Sequence, residues 1–228
     1  MNVALIVPAY NAAPTISRLL KEAGMFFDMQ DIMVVNDGSK DGTGDRARET
    51  GVAVLHHGAN LGKGASLRTA FHRALDEGYD WVVTMDADGQ HASGEIGAFL
   101  EAAKDGVADV VIGTRMNDPG SMPWQRRLSN RMTSRIVTWR TGQNILDSQS
   151  GFRAISTKVL SAVTLNTDRF QTESELLIKA SLAGFLIGSV PVSSIYAGGG
   201  SAISPFLDTV RFIVLILNSL FWRKKRRS

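Results

Sequence analysis

The strongest constraint on how this chain can fold is a rhythm in its first half. Short runs rich in Val and Ile recur at residues 3–7, 32–35, 52–55, 81–85 and 109–112. The stretches between them, such as 15–24 and 63–77, carry apolar residues at helical spacing. In the second stretch Ala65, Leu67, Ala70, Phe71, Ala74 and Leu75 gather on one side. Buried strands alternating with helices predict βα units, and so an α/β fold with a mostly parallel central sheet flanked by helices. The second half is less regular. Residues 122–139 read as a helix rich in Arg and Ser, 142–151 as a loop, 176–183 as a helix and 186–196 as a strand. Gly198-Gly199-Gly200 then precedes a last apolar helix. No linker separates the halves, and 228 residues fit one large α/β domain better than two independent cores.

In open parallel sheets, ligands sit beyond the carboxyl ends of the strands, so the polar residues that follow each strand are the candidates for chemistry. They are Pro8-Ala9-Tyr10-Asn11, Asn36-Asp37-Gly38-Ser39, Asp86-Ala87-Asp88-Gly89-Gln90-His91 and Gly113-Thr114-Arg115, and they are expected to converge on one rim. If the chain stays extended, Asp86 and Asp88 point to the same side, with Gln90 continuing the spacing. Paired carboxylates there suit a hard cation, Mg²⁺ or Mn²⁺, shared with substrate phosphates. Two solvated loop aspartates are the plainer alternative. Asp37 at a strand exit can accept hydrogen bonds from a base edge, although Asn36–Ser39 and the following Asp41-Gly42-Thr43 also read as a turn and helix start, with Thr43 as a cap. Asn60-Leu61-Gly62-Lys63-Gly64 looks like a phosphate loop at a helix N-terminus. It lacks the full P-loop pattern, and the first strand is not followed by the dinucleotide glycine fingerprint. Lys63 either reaches a phosphate or base or stands solvated at the helix start.

As an ordered set these motifs are specific. Val-Pro-Ala-Tyr-Asn, Val-Asn-Asp-Gly-Ser-Lys-Asp-Gly-Thr, Asn-Leu-Gly-Lys-Gly and Asp-Ala-Asp-Gly-Gln-His make residues 2–115 resemble the donor half of family-2 glycosyltransferases with the GT-A fold. The later Asp147-Ser148-Gln149-Ser150-Gly151-Phe152-Arg153 is similar to the acceptor-side motif of the dolichol-phosphate mannose synthase branch. The resemblance implies a donor half over 1–115, an acceptor half over 116–204 and an appended helix over 205–228. It implies that Pro8, Tyr10 and Asp37, with Lys63, hold the nucleotide. It assigns Asp86, Asp88 and Gln90 to the metal and the diphosphate. Arg115 and Arg127 would face the donor or acceptor phosphate, while Asp147, Arg153, Glu173 and Ser201 would shape the sugar and acceptor site. Two departures stand out: Ala12 lies where many members have Glu, and the loop 197–204 lacks the basic residues of mannose synthases. The mannose-specific reading is weaker for it.

The implied reaction is inverting transfer of a hexose from a nucleotide-diphospho-sugar (GDP-mannose or UDP-glucose type) to a polyprenyl or dolichyl phosphate. A bound cation stabilises the departing diphosphate. A lipid phosphate is already ionised, so arginines matter more than a base. A hydroxyl acceptor in polysaccharide or glycolipid synthesis would need one, with Asp88 or Asp147 as candidates. A non-catalytic sugar-nucleotide-binding subunit that positions a membrane protein partner is a further alternative. A haloacid-dehalogenase-type phosphatase is disfavoured, because Gln90 stands where that family has Thr or Val, and on the fourth strand rather than the first.

Charge locates the partner surface. The formal net charge is +3, but the last six residues hold five of the positive charges, and the remainder is slightly acidic. No nucleic-acid surface is therefore expected. Cysteine is absent, which suits a reducing cytosol, and no signal peptide is recognised at the start. Residues 206–222 are mostly apolar, with Asp208, Arg211, Asn218 and Ser219 along one helical side. At 1.5 Å per residue such a helix is shorter than the roughly 30 Å hydrocarbon core. It is expected to lie at a membrane surface or dock on the domain, with the basic end at anionic headgroups. The spanning helices that often follow the catalytic domain in similar enzymes are not expected in the space left. A peripheral enzyme on the cytoplasmic face of the membrane follows as the expectation.

Overall fold

The computed structural model describes residues 1–89, 93–115, 122–193 and 205–223. Seven strands form one sheet in the order β3-β2-β1-β4-β6-β5-β7. They are β1 (Val3–Ala9), β2 (Ile32–Asn36), β3 (Ala53–His56), β4 (Trp81–Thr84), β5 (Val110–Thr114), β6 (Arg153–Ser156) and β7 (Ile187–Pro191). The pairs β1–β2, β1–β4, β2–β3 and β5–β7 are parallel, as the alternating pattern predicts. Strand β6 is the exception. It runs antiparallel between β4 and β5, with Arg153 level with Thr84 on one side and Ile112 on the other. Its amino end therefore lies at the rim where the carboxyl ends of its neighbours lie.

Alternating side chains of β1 feed two cores. Leu5 and Val7 join Ile16, Leu20, Val34, Met85, Phe99 and Phe152 on one face, under α1 (Ile16–Ala23) and α4 (Ile96–Asp105). Ala4 and Ile6 join Val35, Leu67, Phe71, Ile112, Ile155 and Leu177 on the other, under α3 (Lys63–Asp76), α6 (Thr157–Ala162) and α7 (Gln171–Leu182). The rings of Phe99 and Phe152 stack at 4.1 Å between centroids. Two filled faces explain why the strands read as continuous apolar runs rather than as alternating ones.

The short α2 (Thr43–Arg48) begins differently from the sequence expectation. Thr43 is the first helical residue rather than its cap. Its hydroxyl accepts from Ala12 N at 2.8 Å and donates to Asp41 Oδ1 at 2.5 Å, and Asp41 also takes Thr43 N. The second half of the chain contains α5 (Trp124–Thr141). The last helix, α8 (Pro205–Ser219), packs on α7. Leu215 and Ser219 are buried, and Phe212, Ile216 and Trp222 pack against the second core. The polar residues Asp208, Arg211 and Ser219 thus lie on the side turned toward the protein. Among the described residues, no helix is long and apolar enough to cross a membrane.

Candidate active site

At the rim the exits of β1 and β2 are sewn together. Asn11, at φ 50°, takes Lys40 N on its Oδ1 and donates its own N–H to Ser39 Oγ. Ala13 N donates to Asp41 Oδ2 at 3.0 Å. Burial alone would raise the pKa of Asp41, but bonds from Thr43 and the amide of Ala13 outweigh it and hold the carboxyl below its usual value. Pro8 is half-buried at this edge and Tyr10 is exposed, which leaves its ring open to a flat ligand.

Asp37 is turned inward. Its carboxylate accepts from Leu61 N at 2.9 Å, Gly62 N at 2.7 Å and His57 Nδ1 at 2.7 Å, and His57 Nε2 meets Thr69 Oγ1 at 3.0 Å. The amides of Gly64 and Ala65 at the start of α3 donate to Asp168 O. The phosphate-loop reading of residues 60–64 is therefore corrected. Four of the amides that would cradle an anion are already spent on Asp37 and Asp168, and the segment instead anchors α3 against residues 167–172.

Lys63 is not solvated either. Its Nζ lies 2.5 Å from Asp86 Oδ1 and 2.7 Å from Glu173 Oε1. Burial would lower its pKa, but the two carboxylates dominate and hold it well above the ordinary ammonium range. Gly151 closes over this pair, since a Cβ there would collide with Asp86 Oδ2 and Lys63 Nζ. Its carbonyl accepts from Thr84 Oγ1 at 2.8 Å. Beyond Asp86 the chain turns: Ala87 is buried, Asp88 exposed and Gly89 at φ 72°. The carbonyl of Ala87 between the two aspartates is held by Thr15 Oγ1 at 2.5 Å.

The second cluster lies at the end of β5. Asp147 is fully buried and accepts from Arg115 Nε at 2.8 Å, Arg115 Nη2 at 3.0 Å and Asn130 Nδ2 at 2.8 Å. Burial pushes its pKa up, but Arg115 and Asn130 outweigh that and hold it below the usual carboxylate range. A buried, fully engaged carboxylate of depressed pKa is a poor proton acceptor, so the candidacy of Asp147 as a general base is withdrawn. It positions Arg115. Arg153 is likewise buried, and it acts through backbone, donating to Ser150 O, Ser148 O and Glu173 O at 2.7–2.8 Å. Burial lowers its pKa, while Glu173, Asp147 and Asp86 pull it back, so one guanidinium sits amid both clusters. On α5, Arg127 is half-buried, and its enclosed Nε has no hydrogen-bond partner among the described residues.

The structure thus brings together Lys63, Asp86 and Glu173, joins them through Arg153 to Arg115 and Asp147, and leaves Asp88 and Tyr10 facing outward. Gln90 and Ser201 lie outside the described residues. Asn130, Gly151, Thr15 and His57 are structural partners that pattern reading did not single out. Two left a signal: Gly151 stands inside the Asp147–Arg153 motif, and Asn130 is a polar residue on the helix side opposite the apolar stripe of α5.

Among the described residues, no group of three or more His, Cys, Asp or Glu could enclose a metal ion. Two carboxylates at a turn nevertheless fit a hard divalent cation that draws its other ligands from a diphosphate and water.

Comparison with known proteins points the same way. The family model described as Glycosyl transferase family 2 matches residues 4–164. An uncharacterized protein of Methanocaldococcus jannaschii is 33% identical over 200 residues, covering 86% of this chain and 82% of its own. The UDP-N-acetylglucosamine–dolichyl-phosphate N-acetylglucosaminyltransferase of Methanococcus voltae is 32% identical, covering 84% of this chain and 85% of its own. The polyprenol monophosphomannose synthase of Mycolicibacterium smegmatis is 31% identical, over 83% and 76%. Among solved structures, glucosyl-3-phosphoglycerate synthase of Mycobacterium tuberculosis in complex with uridine diphosphate superposes with a TM-score of 0.73 at 20% identity, covering 96% of this chain and 79% of that one. Its complex with Mn²⁺, uridine diphosphate and phosphoglyceric acid gives 0.71 at 18% identity, over 96% and 78%. The likeness is one of fold.

Proposed function

The chain belongs to glycosyl transferase family 2, with the GT-A fold, and from that premise we propose that it moves a hexose from a nucleotide-diphospho-sugar to a polyprenyl phosphate, with inversion at the anomeric carbon. The observation that carries this reading is the pairing of a carboxylate turn, Asp86 held by Lys63 and Asp88 exposed, with an arginine, Arg115, fixed by Asp147 at the end of β5. One side suits the diphosphate that leaves; the other suits a phosphate that attacks. Relatives named for transfer to dolichyl phosphate and for polyprenol monophosphomannose synthesis support the acceptor class.

In this reading Tyr10 stacks on the base beside Pro8, while Asp37 holds the 61–62 segment around it. Mg²⁺ or Mn²⁺ held by Asp86 and Asp88, with Gln90, would neutralise the charge that grows on the diphosphate as the sugar departs. Lys63 keeps the Asp86 carboxylate aimed. Arg115 and Arg127 receive the lipid phosphate, and the enclosed Nε of Arg127, which has no partner among the described residues, is a donor suited to it. The phosphate oxygen is already anionic near neutral pH, so attack on the anomeric carbon needs no strong base. The withdrawal of Asp147 as a base favours this acceptor over a hydroxyl. We place the enzyme on the cytoplasmic membrane face, with α8 and the basic terminal residues at the lipid and with a membrane protein as a further partner. Residues 224–228 of that basic end lie outside the described residues.

The test is a panel of radiolabelled sugar nucleotides with a short-chain polyprenyl phosphate and Mn²⁺ or Mg²⁺, followed by extraction into organic solvent. Label entering the organic phase with one donor is the expected result. Label that reaches only hydroxyl acceptors overturns the acceptor assignment. In the same assay Asp88→Ala should abolish metal-dependent turnover while the far-ultraviolet spectrum stays that of the parent. Undiminished turnover would remove the metal from Asp88.

A further inference from the structure

Helix α5 carries its residues in two opposed sets. Asn130, Ser134 and Val137 are buried, and Asn130 and Ser134 reach Asp147 and Ser148 at 2.8 and 3.2 Å. On the far side Trp124, Leu128, Met132, Ile136 and Trp139 form a continuous exposed stripe, with both tryptophans 69% exposed. At 3.6 residues per turn these five fall on one face, along an edge of which lie the exposed Arg131 and Arg135. A soluble helix would be expected to show polar residues there.

Helix α8 repeats the inversion. Its inward side includes Asp208, Arg211 and Ser219, while Val210, Ile213, Val214 and Leu217 are exposed. The two helices are tied at one end. Arg140 of α5 donates to Ser219 Oγ at 3.1 Å and Trp222 O at 3.3 Å, and Lys179 of α7 sits 4.7 Å from the Trp222 ring centre. Two exposed apolar faces, joined and edged by arginine, exceed what scattered surface leucines explain.

We infer that the outer face of α5, together with that of α8, is a membrane-binding platform that takes an anionic lipid surface and presents the acceptor cluster to it. The chemistry fits each part. Leucine, methionine and isoleucine enter the acyl boundary, the tryptophans sit at the headgroup level, and Arg131 and Arg135 pair with lipid phosphates. Because Asn130 and the stripe lie on opposite sides of one helix, the Asp147–Arg115 pair stands one helix diameter from the bilayer surface, about 10 Å. A lipid phosphate could then reach Arg115 and Arg127 without leaving the interface. The inference rests on the acceptor class proposed above for its purpose, but not for the binding itself.

The test uses the full chain and vesicles without any substrate. Sedimentation with phosphatidylcholine vesicles, with and without phosphatidylglycerol, is compared for the parent, for Leu128→Ser/Met132→Ser and for Ile213→Ser/Leu217→Ser. Each pair should weaken binding on the order of tenfold or more, given the apolar area withdrawn from lipid. Arg131→Gln/Arg135→Gln should remove most of the preference for phosphatidylglycerol. Brominated lipid should quench the tryptophan fluorescence of the parent, and less so in Trp124→Phe/Trp139→Phe, a conservative pair that keeps the fold. Sedimentation of the α5 variant equal to the parent's, or absence of quenching, overturns the platform. So does a parent that is dimeric in solution and becomes monomeric on stripe substitution with vesicle binding unchanged, since a second copy then covers the face. Transfer to a short-chain acceptor in the absence of vesicles should be unchanged in the Leu128→Ser/Met132→Ser variant. Failure of the acceptor reading would show in the transfer assay with vesicle binding intact, so the two outcomes are separable.

Discussion

Gly151 and Asp147 show how single residues are tied to this site. Gly151 has ordinary backbone freedom, and no positive φ demands glycine there. Space does: the position of its missing Cβ is taken by the Asp86 carboxylate and the Lys63 ammonium. Gly151→Ala should displace Lys63 from Asp86 and lower donor turnover at least tenfold, while thermal melting shifts by only a few degrees, because both colliding groups are ends of side chains. A parent-like kcat would show that the Lys63–Asp86 pair is dispensable. Asp147 makes a different prediction, one about pH. Its folded pKa is depressed, so the stability it contributes is present above the unfolded carboxylate value of about 3.9 and is lost as pH falls through the folded pKa. Asp147→Asn leaves the Arg115 charge enclosed without its counter-ion, which costs about 3–5 kcal/mol for a broken buried pair. Urea denaturation near neutrality should show that loss. In acid the gap between parent and variant should close, as the parent's own carboxyl protonates.

At the scale of elements, the regular half of the molecule was legible, and so in the second half were α5, α7, β7 and α8, with shifted ends; β6 and α6 were not, for a reason visible in β6. A four-residue strand that begins with arginine and follows a polar loop gives no apolar run to detect. Yet Arg153 is buried between Thr84 and Ile112. Because β6 runs antiparallel, its site residues, Gly151 and Arg153, lie just before the strand and at its first position, whereas the rule for parallel sheets looks after the strand's end. The motif set still named the residues, but their roles required coordinates. Asp37, Asp147 and Arg153 turn inward to fix loops and backbone, and no spacing argument distinguishes that from facing a ligand. For α8 the sequence placed Asp208, Arg211, Asn218 and Ser219 along one side; Asp208, Arg211 and Ser219 lie on the side that docks, whereas Asn218 is exposed. Arg140 should hold that docking in place. It caps the carbonyl end of α8, where a cation is favoured. Arg140→Ala should therefore speed amide hydrogen exchange in residues 212–222 while protection in β1 and β4 stays unchanged, since a hydrogen bond to a charged group contributes about 1.5–3 kcal/mol. Equal exchange in both proteins would mean that apolar packing alone keeps α8 docked.

The whole molecule depends on how its two halves are locked across the rim. Lys63 opens α3 in the half that carries the motifs for the donor, and Glu173 lies in the first turn of α7 in the other. Their ion pair at 2.7 Å is enclosed, and Arg153 holds the Glu173 carbonyl from the centre of the sheet at 2.8 Å. Nearby, the Gly64 amide donates to Asp168 O, and the absence of a Cβ at Gly64 leaves room for Thr172 Oγ1. The halves therefore meet through polar contacts that are largely buried, and such contacts are costly to break singly. Lys63→Met strands Asp86 and Glu173 as two carboxylates without their shared cation. Glu173→Gln leaves Lys63 with Asp86 alone. Each single change should be destabilising. Glu173→Gln should cost less, because one partner remains. The double variant should be more stable than the sum of the singles predicts, by roughly 0.5–3 kcal/mol, the range found for residues in direct contact. Denaturant unfolding of the four proteins measures this coupling without any substrate. Additivity within a few tenths of a kcal/mol would mean that the halves are joined by the sheet and its cores alone, and that Lys63 serves Asp86 rather than the join between them.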